Sequence, residues 1–192
     1  MCGRYTLKDK KNIKNKYDID IVPNYNICPG LKVPVLTNES SFMNWGYCPS
    51  WAKTPMNIIN ARYESIKHKP MFSNMKRCVM FMDGWYEWDR HFDWDRRQNK
   101  KVPHYHHLGG ELLYMAGLFI DTQCISITKP SEGLIANIHS RQPLLLDETQ
   151  ISMWIDGEFI ITDKVSSNIQ IHQVSTHVNS PKNNDEICIK PV

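Results

Sequence analysis

Several features are missing from this 192-residue sequence. It has no run of about 18 or more apolar residues, so no helix is expected to cross a membrane. The opening MCGRYTLKDKKNIKNKYD carries charges with no apolar run behind them, which does not read as a secretory signal. No Gly/Ser-rich linker and no internal repeat interrupts the chain, so a single domain over 1–192 is expected. None of the six cysteines (Cys2, Cys28, Cys48, Cys78, Cys124 and Cys188) forms a C-x-x-C pair. That scatter gives neither a zinc site nor a redox motif, and predicts reduced thiols in a cytoplasmic setting. An excess of one charge is nearly absent too. The 23 Lys and Arg against 20 Asp and Glu leave a net charge of +3, which admits an anionic partner without requiring one. What is present is a 41% apolar and 22% charged composition, suited to a soluble chain with a real core.

Eleven prolines cut the chain into short pieces. Strand-like runs occur at 32–37, 41–47, 79–88, 102–108, 112–120, 124–128, 169–175 and 186–192. Helical patterns are fewer: 8–17, 60–68 starting from an Asn60 cap, 133–139 and 148–155. The polar stretch from Asp89 to Lys101 between two strand-like runs reads as a long hairpin loop. Strands dominate and do not alternate with helices. The expected class is therefore α+β, with a curved, largely antiparallel sheet flanked by short helices. His104, His106 and His107 lie close together, but His104 and His106 alternate as on a strand face. Neither a metal nor any other cofactor is expected.

Five segments can carry chemistry. Cys2 directly follows the initiator Met. Removal of Met1 would leave an α-amine and a thiol on adjacent carbons, both nucleophiles near neutral pH. An amine and a thiol so placed condense with an aldehyde, first to an imine and then to a thiazolidine ring. A thiol can instead attack a carbonyl, as in N-terminal nucleophile hydrolases. In IINARYES (58–65), Asn60 can bind a ligand or cap a helix, and Arg62 can hold a phosphate or be solvated. In DGWYEW (83–88), strand geometry puts Trp85 and Glu87 on one face and Tyr86 and Trp88 on the other. A carboxyl among such bulky residues is a usable acid or base, or the partner of a core arginine. In IHSRQPLLL (138–146), His139 is a proton shuttle or part of a surface turn. Finally, Arg4, Lys8, Lys10, Lys11, Lys14 and Lys16 form a basic cluster, and Trp45, Tyr47 and Trp51 an aromatic one. Either can serve nucleic acid, or be a solvated helix face and core.

Taken together and in this order, MCGRYTL, NYNICPG (24–30), WGYCPSW (45–51), INARYES (59–65), DGWYEW (83–88) and IHSRQPLLL (138–146) resemble the SRAP (SOS-response-associated peptidase) family, and the C-terminal VNSPKNNDEICIKPV is similar to that family's ending. The resemblance implies a SRAP-like, barrel-like domain that crosslinks covalently to abasic sites in single-stranded DNA during the damage response. Cys2 would trap the ring-opened sugar as a thiazolidine. Asn60 would position the amine or sugar, Glu87 would transfer protons at the amine, and His139 would assist ring opening and reversal or lyase steps. Arg4, Arg62 and Arg141 match basic residues near the DNA backbone, and Pro29 and Trp51 fall where DNA is bent and unstacked. The resemblance also implies a monomer in the cytoplasm, at the nucleoid if bacterial. The chain departs from the family pattern at Pro70, which precedes Met71-Phe72 where a basic residue is usual, at HVNSP (177–181), and over 89–101. Two other functions fit the same residues. One is a cysteine-type peptidase or autopeptidase using Cys2. The other is a non-covalent single-strand binding module indifferent to that cysteine.

Overall fold

The computed structural model describes residues 2–93, 98–160 and 163–192. Within them the chain runs through β1 (Tyr5–Leu7), α1 (Lys10–Tyr17), β2 (Asn24–Ile27), β3 (Lys32–Leu36), β4 (Ser40–Trp45), β5 (Asn60–Arg62) and β6 (Lys76–Met82). It continues through β7 (Gly84–Asp93), β8 (Gln98–His107), β9 (Leu113–Ile120), β10 (Gln123–Pro130), β11 (Arg141–Pro143), β12 (Leu145–Leu146), α2 (Glu148–Ile155) and β13 (Gln170–Gln173). Among these residues, no helix is long and apolar enough to cross a membrane.

The α+β class is as the sequence predicts, and the strands divide into two sheets. One has the order β13-β8-β7-β1-β2, antiparallel throughout. In the other, β10, β4, β3, β6 and β9 pair in turn, and β9 pairs back onto β10. The sheet thus closes into a ring whose members have no free edge. β5 and β11 join β10, and β12 joins β9. Among the described residues, only β10 with β4 and β10 with β5 run parallel. The continuous apolar runs of β6 and β9 fit this position, because strands buried on both faces cannot alternate. Tyr5, Trp45, Phe81 and Trp85 belong to the main core, with Tyr5 edge-on to Trp45 at 5.1 Å. A second cluster of Tyr86, Tyr105, Val174, Val178 and Cys188 seals the other face of β7 and β8 against the C-terminal tail.

One buried carboxylate decides how the amino terminus enters this frame. The strand-like run at 79–88 is broken by Asp83, which is inaccessible to solvent. Asp83 accepts from the Thr6 hydroxyl and from the backbone N–H of Lys8 and Asp9 at 2.6 and 3.1 Å, and Lys8 Nζ lies 3.2 Å away. A charge at such depth needs this full set of partners, and meeting it pins both ends of the β1–α1 connection. Beside it, a Cβ on Gly84 would fall 2.3 Å from the Tyr105 hydroxyl, so only glycine lets that ring approach.

Helix α2 occupies the predicted 148–155, with a capping box in which Asp147 and Gln150 satisfy each other's backbone N–H. α1 starts at Lys10 rather than residue 8, because Asp9 takes the cap position and accepts from Asn12 N at 3.0 Å. Four expectations are corrected. Residues 60–68 are not a helix: Asn60–Arg62 pair with β10 as a strand, and only a 3-10 turn, Tyr63–Ser65, follows. Pairing with a neighbour outweighed the local cap pattern. Residues 133–139 are a 3-10 turn, Gly133–Asn137, and 186–192 hold another, Glu186–Ile189, rather than a strand. The polar stretch 89–101 is not a long loop, since β7 and β8 continue through it in register from Asp89↔Val102 to Asp93↔Gln98. The turn itself, 94–97, lies outside the described residues.

Candidate active site

Cys2 is inaccessible to solvent near the start of the chain, three residues before Tyr5 of β1 meets Trp85 of β7. Its carbonyl accepts from Asn60 Nδ2 at 2.9 Å. The other end of that amide, Oδ1, accepts from the Ser126 hydroxyl on β10, the residue that pairs with Asn60 across the parallel ladder. The thiol lies 3.8 Å from Arg4 O. Burial, and secondarily the nearby Glu87, push this thiol well above its ordinary value. It is therefore S–H rather than thiolate at neutral pH.

Glu87 is 2% exposed. Burial pushes its carboxyl up from 4.5 to about 7, and the charge of the chain's amino terminus acts in the opposite sense. A carboxyl poised there exchanges protons efficiently at physiological pH. As the alternation predicts, Trp85 stacks on His106 at 4.7 Å, while Tyr86 packs on Tyr105 on the opposite face. Burial lowers His106 to about 3, which keeps that ring neutral.

Gly3, Arg4, Glu87, Trp88, Lys101, His139 and Asn179 line one open cleft of about 470 Å³. His139 Nδ1 lies 3.0 Å from the Arg141 backbone N–H and 3.1 Å from the Arg141 carbonyl. Nδ1 accepts from the first or donates to the second according to its tautomer, and either contact ties the ring to the Arg141 backbone. Arg4 donates to Asn26 Oδ1 at 3.3 Å, to Asn179 O at 2.9 Å and to Val178 O, and lies over the Trp88 ring at 5.9 Å. Trp88 Nε1 donates to Asn179 Oδ1 at 2.8 Å. Asn26, almost fully buried, reaches Val178, Ser180 and Asn183 carbonyls at 2.9–3.1 Å. The C-terminal tail thus forms one wall of the cleft.

Arg4, Glu87 and His139 meet in that cleft, and Cys2, tied to Asn60, adjoins it through Gly3. Pro29, Trp51 and Arg62 are not among the residues lining that cleft. Pro29 is half-buried after β2, Arg62 is exposed at the end of β5, and Trp51 is 63% exposed in the segment after β4. Arg141 grips both Glu64 oxygens, at 2.5 and 2.9 Å, and Thr128 O at 2.6 Å. In the basic cluster, Lys14 pairs with Asp18 and Asp20, Lys16 with Glu148, and Lys8 with Asp83. Of the aromatic cluster, Trp45 is core, Tyr47 half-buried, and Trp51 outward-facing. Ser126 lies in none of the motifs, and Asp83, Glu64 and Asn179 lie within quoted segments that gave them no role. They act on the site through contacts 66 or more positions away in sequence: Asp83 with Thr6 and Lys8, Ser126 with Asn60, Glu64 with Arg141, and Asn179 with Arg4 and Trp88.

The sequence model of the SOS response associated peptidase (SRAP) family matches residues 1–181. The chain belongs to the SRAP family. Abasic site processing protein YoqW of Bacillus subtilis is 32% identical to it, with 99% of each chain covered. Abasic site processing protein YedK of Escherichia coli is 28% identical, with all of both chains covered. The mouse protein HMCES, also named an abasic site processing protein, is 29% identical over 88% of this chain and 65% of its own. A crystal structure of a Bacteroides thetaiotaomicron protein superposes over both whole chains with a TM-score of 0.79 at 19% identity, so this SRAP chain shares its fold. A three-ligand group outside the cleft, His177, Asp185 and Cys188, has the donor types for a metal. However, His177 Nε2 already lies 3.0 Å from Asp185, and its Nδ1 faces the Asn183 amide at 3.1 Å. The ring therefore serves as a hydrogen-bond bridge.

Proposed function

We propose that this SRAP protein captures abasic sites in single-stranded DNA as a covalent thiazolidine on Cys2, shielding the lesion. The observation that carries the reading is the placement of Cys2. Its carbonyl is gripped by Asn60, and it sits beside a carboxyl poised near neutrality in a cleft shared with His139. An abasic site in its ring-opened form presents an aldehyde. Removal of Met1 frees the Cys2 amine, whose nitrogen attacks the aldehyde carbon. Glu87 takes and returns the protons as the carbinolamine loses water to an imine. The thiol, held as S–H by burial, then adds its sulfur to the imine carbon and its proton to nitrogen, closing the five-membered ring. His139 assists opening of the sugar ring. Imine chemistry at such a site also permits β-elimination, so lyase activity accompanies slow closure. Trp51 and Pro29 meet unstacked bases, and Arg62 a phosphate. Arg4 sets positive charge at the cleft while holding its C-terminal wall, and Arg141 lies near the DNA backbone.

The raised thiol favours this order over a cysteine peptidase, which needs a thiolate paired with a base. The test is a denaturing gel with intact mass, using an oligonucleotide bearing one abasic site and Cys2→Ala alongside. A heat-stable adduct of the summed mass less one water, formed by the wild type alone, is expected. No adduct from protein whose mass shows Met1 gone overturns the reading. Equal binding by both proteins without an adduct would leave a non-covalent module. Cleavage of an unmodified peptide would make it a peptidase.

A further inference from the structure

Ser126 stands on β10, wholly buried, in none of the motifs that carry the chemistry. Its hydroxyl has one proton and two acceptors in reach, Asn60 Oδ1 and Ile59 O at 3.3 Å. The Asn60 oxygen is the nearer and takes the proton. The parallel register of β5 on β10 sets the two residues opposite each other, so the contact is built into the sheet and does not depend on a mobile rotamer.

The importance of that contact lies in the near-symmetry of an amide. The two ends of an asparagine side chain have almost the same shape, and only their partners decide which way round it sits. The Cys2 carbonyl can only accept, so it needs the NH₂ end, which it receives at 2.9 Å. Ser126 donates to the other end and so fixes the orientation. With the hydroxyl gone, Oδ1 loses its nearest donor, and rotating the amide would set two acceptors face to face at Cys2.

We propose that Ser126 is a positioning residue for aldehyde capture, acting through Asn60 to hold Cys2. This rests on the reading of Cys2 as the trapping residue. The Cys2 α-amine is one bond from the α-carbon that the gripped carbonyl also joins. Fixing that carbonyl restricts the rotations that orient the Cys2 amine and thiol, and that thiol already lies within the electrostatic reach of Glu87. Ser126 itself touches neither substrate nor reacting atoms.

The test is the single-turnover rate of adduct formation with saturating single-stranded oligonucleotide bearing one abasic site. Ser126→Ala is expected to slow it by about tenfold, the scale of one lost buried hydrogen bond. The oligonucleotide concentration for half-maximal rate should stay unchanged, and Ser126→Thr, which returns the hydroxyl, should recover most of the rate. A single-turnover rate constant does not depend on what fraction of molecules is folded, so damage to the fold appears in the amplitude instead. In an Asn60→Ala background, Ser126→Ala is expected to add nothing, because the residue it acts through is gone. A wild-type rate for Ser126→Ala overturns the proposal, as does the same loss repeated in the Asn60→Ala background. A wild type that forms no adduct overturns the capture reading itself, a result distinct from a trapping wild type that is indifferent to Ser126.

Discussion

Burying the carboxyl of Glu87, the proton-transfer group of the proposed reaction, lowers stability, and the size of that effect follows from its position. The carboxyl ionises at 4.5 when solvated and at about 7 when buried in the fold. Below the first value, folded and unfolded chains both hold the proton and the group is neutral in the balance. As pH rises between the two values, the unfolded chain ionises while the folded one keeps its proton, so stability falls across that window. Each tenfold change in proton affinity is worth about 1.4 kcal/mol, so the loss is complete above the folded value at about 3 kcal/mol. Glu87→Gln keeps the shape and removes the ionisation. At about pH 8 the variant is expected to be more stable by up to about 3 kcal/mol, a rise in Tm of about 6–12 °C for a chain of this size. At about pH 5 the advantage shrinks below about 1 kcal/mol. Thermal melts by circular dichroism at both pH values measure this, with adduct formation followed in parallel and expected to drop by about a hundredfold. An equal difference at the two pH values, or a variant less stable at the higher one, would refute the assignment of a raised carboxyl.

Other substitutions test the frame around it. Gly84→Ala drives a methyl group into Tyr105 at 2.3 Å. It should cost about 1–3 kcal/mol in urea unfolding, and a stability equal to wild type would mean the close approach is not real. Asn26→Asp replaces the donor shared by three tail carbonyls with a carboxylate. A loss of about 3–5 kcal/mol is expected, with faster amide exchange at Val178, and unchanged exchange there would break the link between Asn26 and the tail. Trp51→Ala, at a side chain 63% exposed, should alter stability by no more than about 0.5 kcal/mol. It should weaken single-strand binding by about 1–3 kcal/mol, and unaltered binding would remove Trp51 from the DNA path.

The residue types of the candidate site are legible in the chain itself. Cys2, Glu87 and His139 are chemically distinctive wherever they fall, and the period-two alternation in DGWYEW assigned Glu87 to its face because strand geometry is local. Helix α2 was legible for the same reason, since its capping box is closed by residues three apart. The tertiary structure alone decided what depends on pairing between distant segments. Asn60 looked like a helix cap and is a strand residue, because β10 supplies a ladder that no local signal announces. The continuation of β7 and β8 through a polar stretch was hidden for a similar reason, as each strand is stabilised by its partner and not by its own composition. Arg141 matches a basic residue near the DNA backbone, but no local signal announces its pairing with Glu64, 77 positions away. Ser126 stands in no motif, and Asp83 opens DGWYEW without a role that its neighbours in sequence announce. A buried serine or aspartate takes its role from the groups that surround it, and those are brought together only when the ring of strands closes.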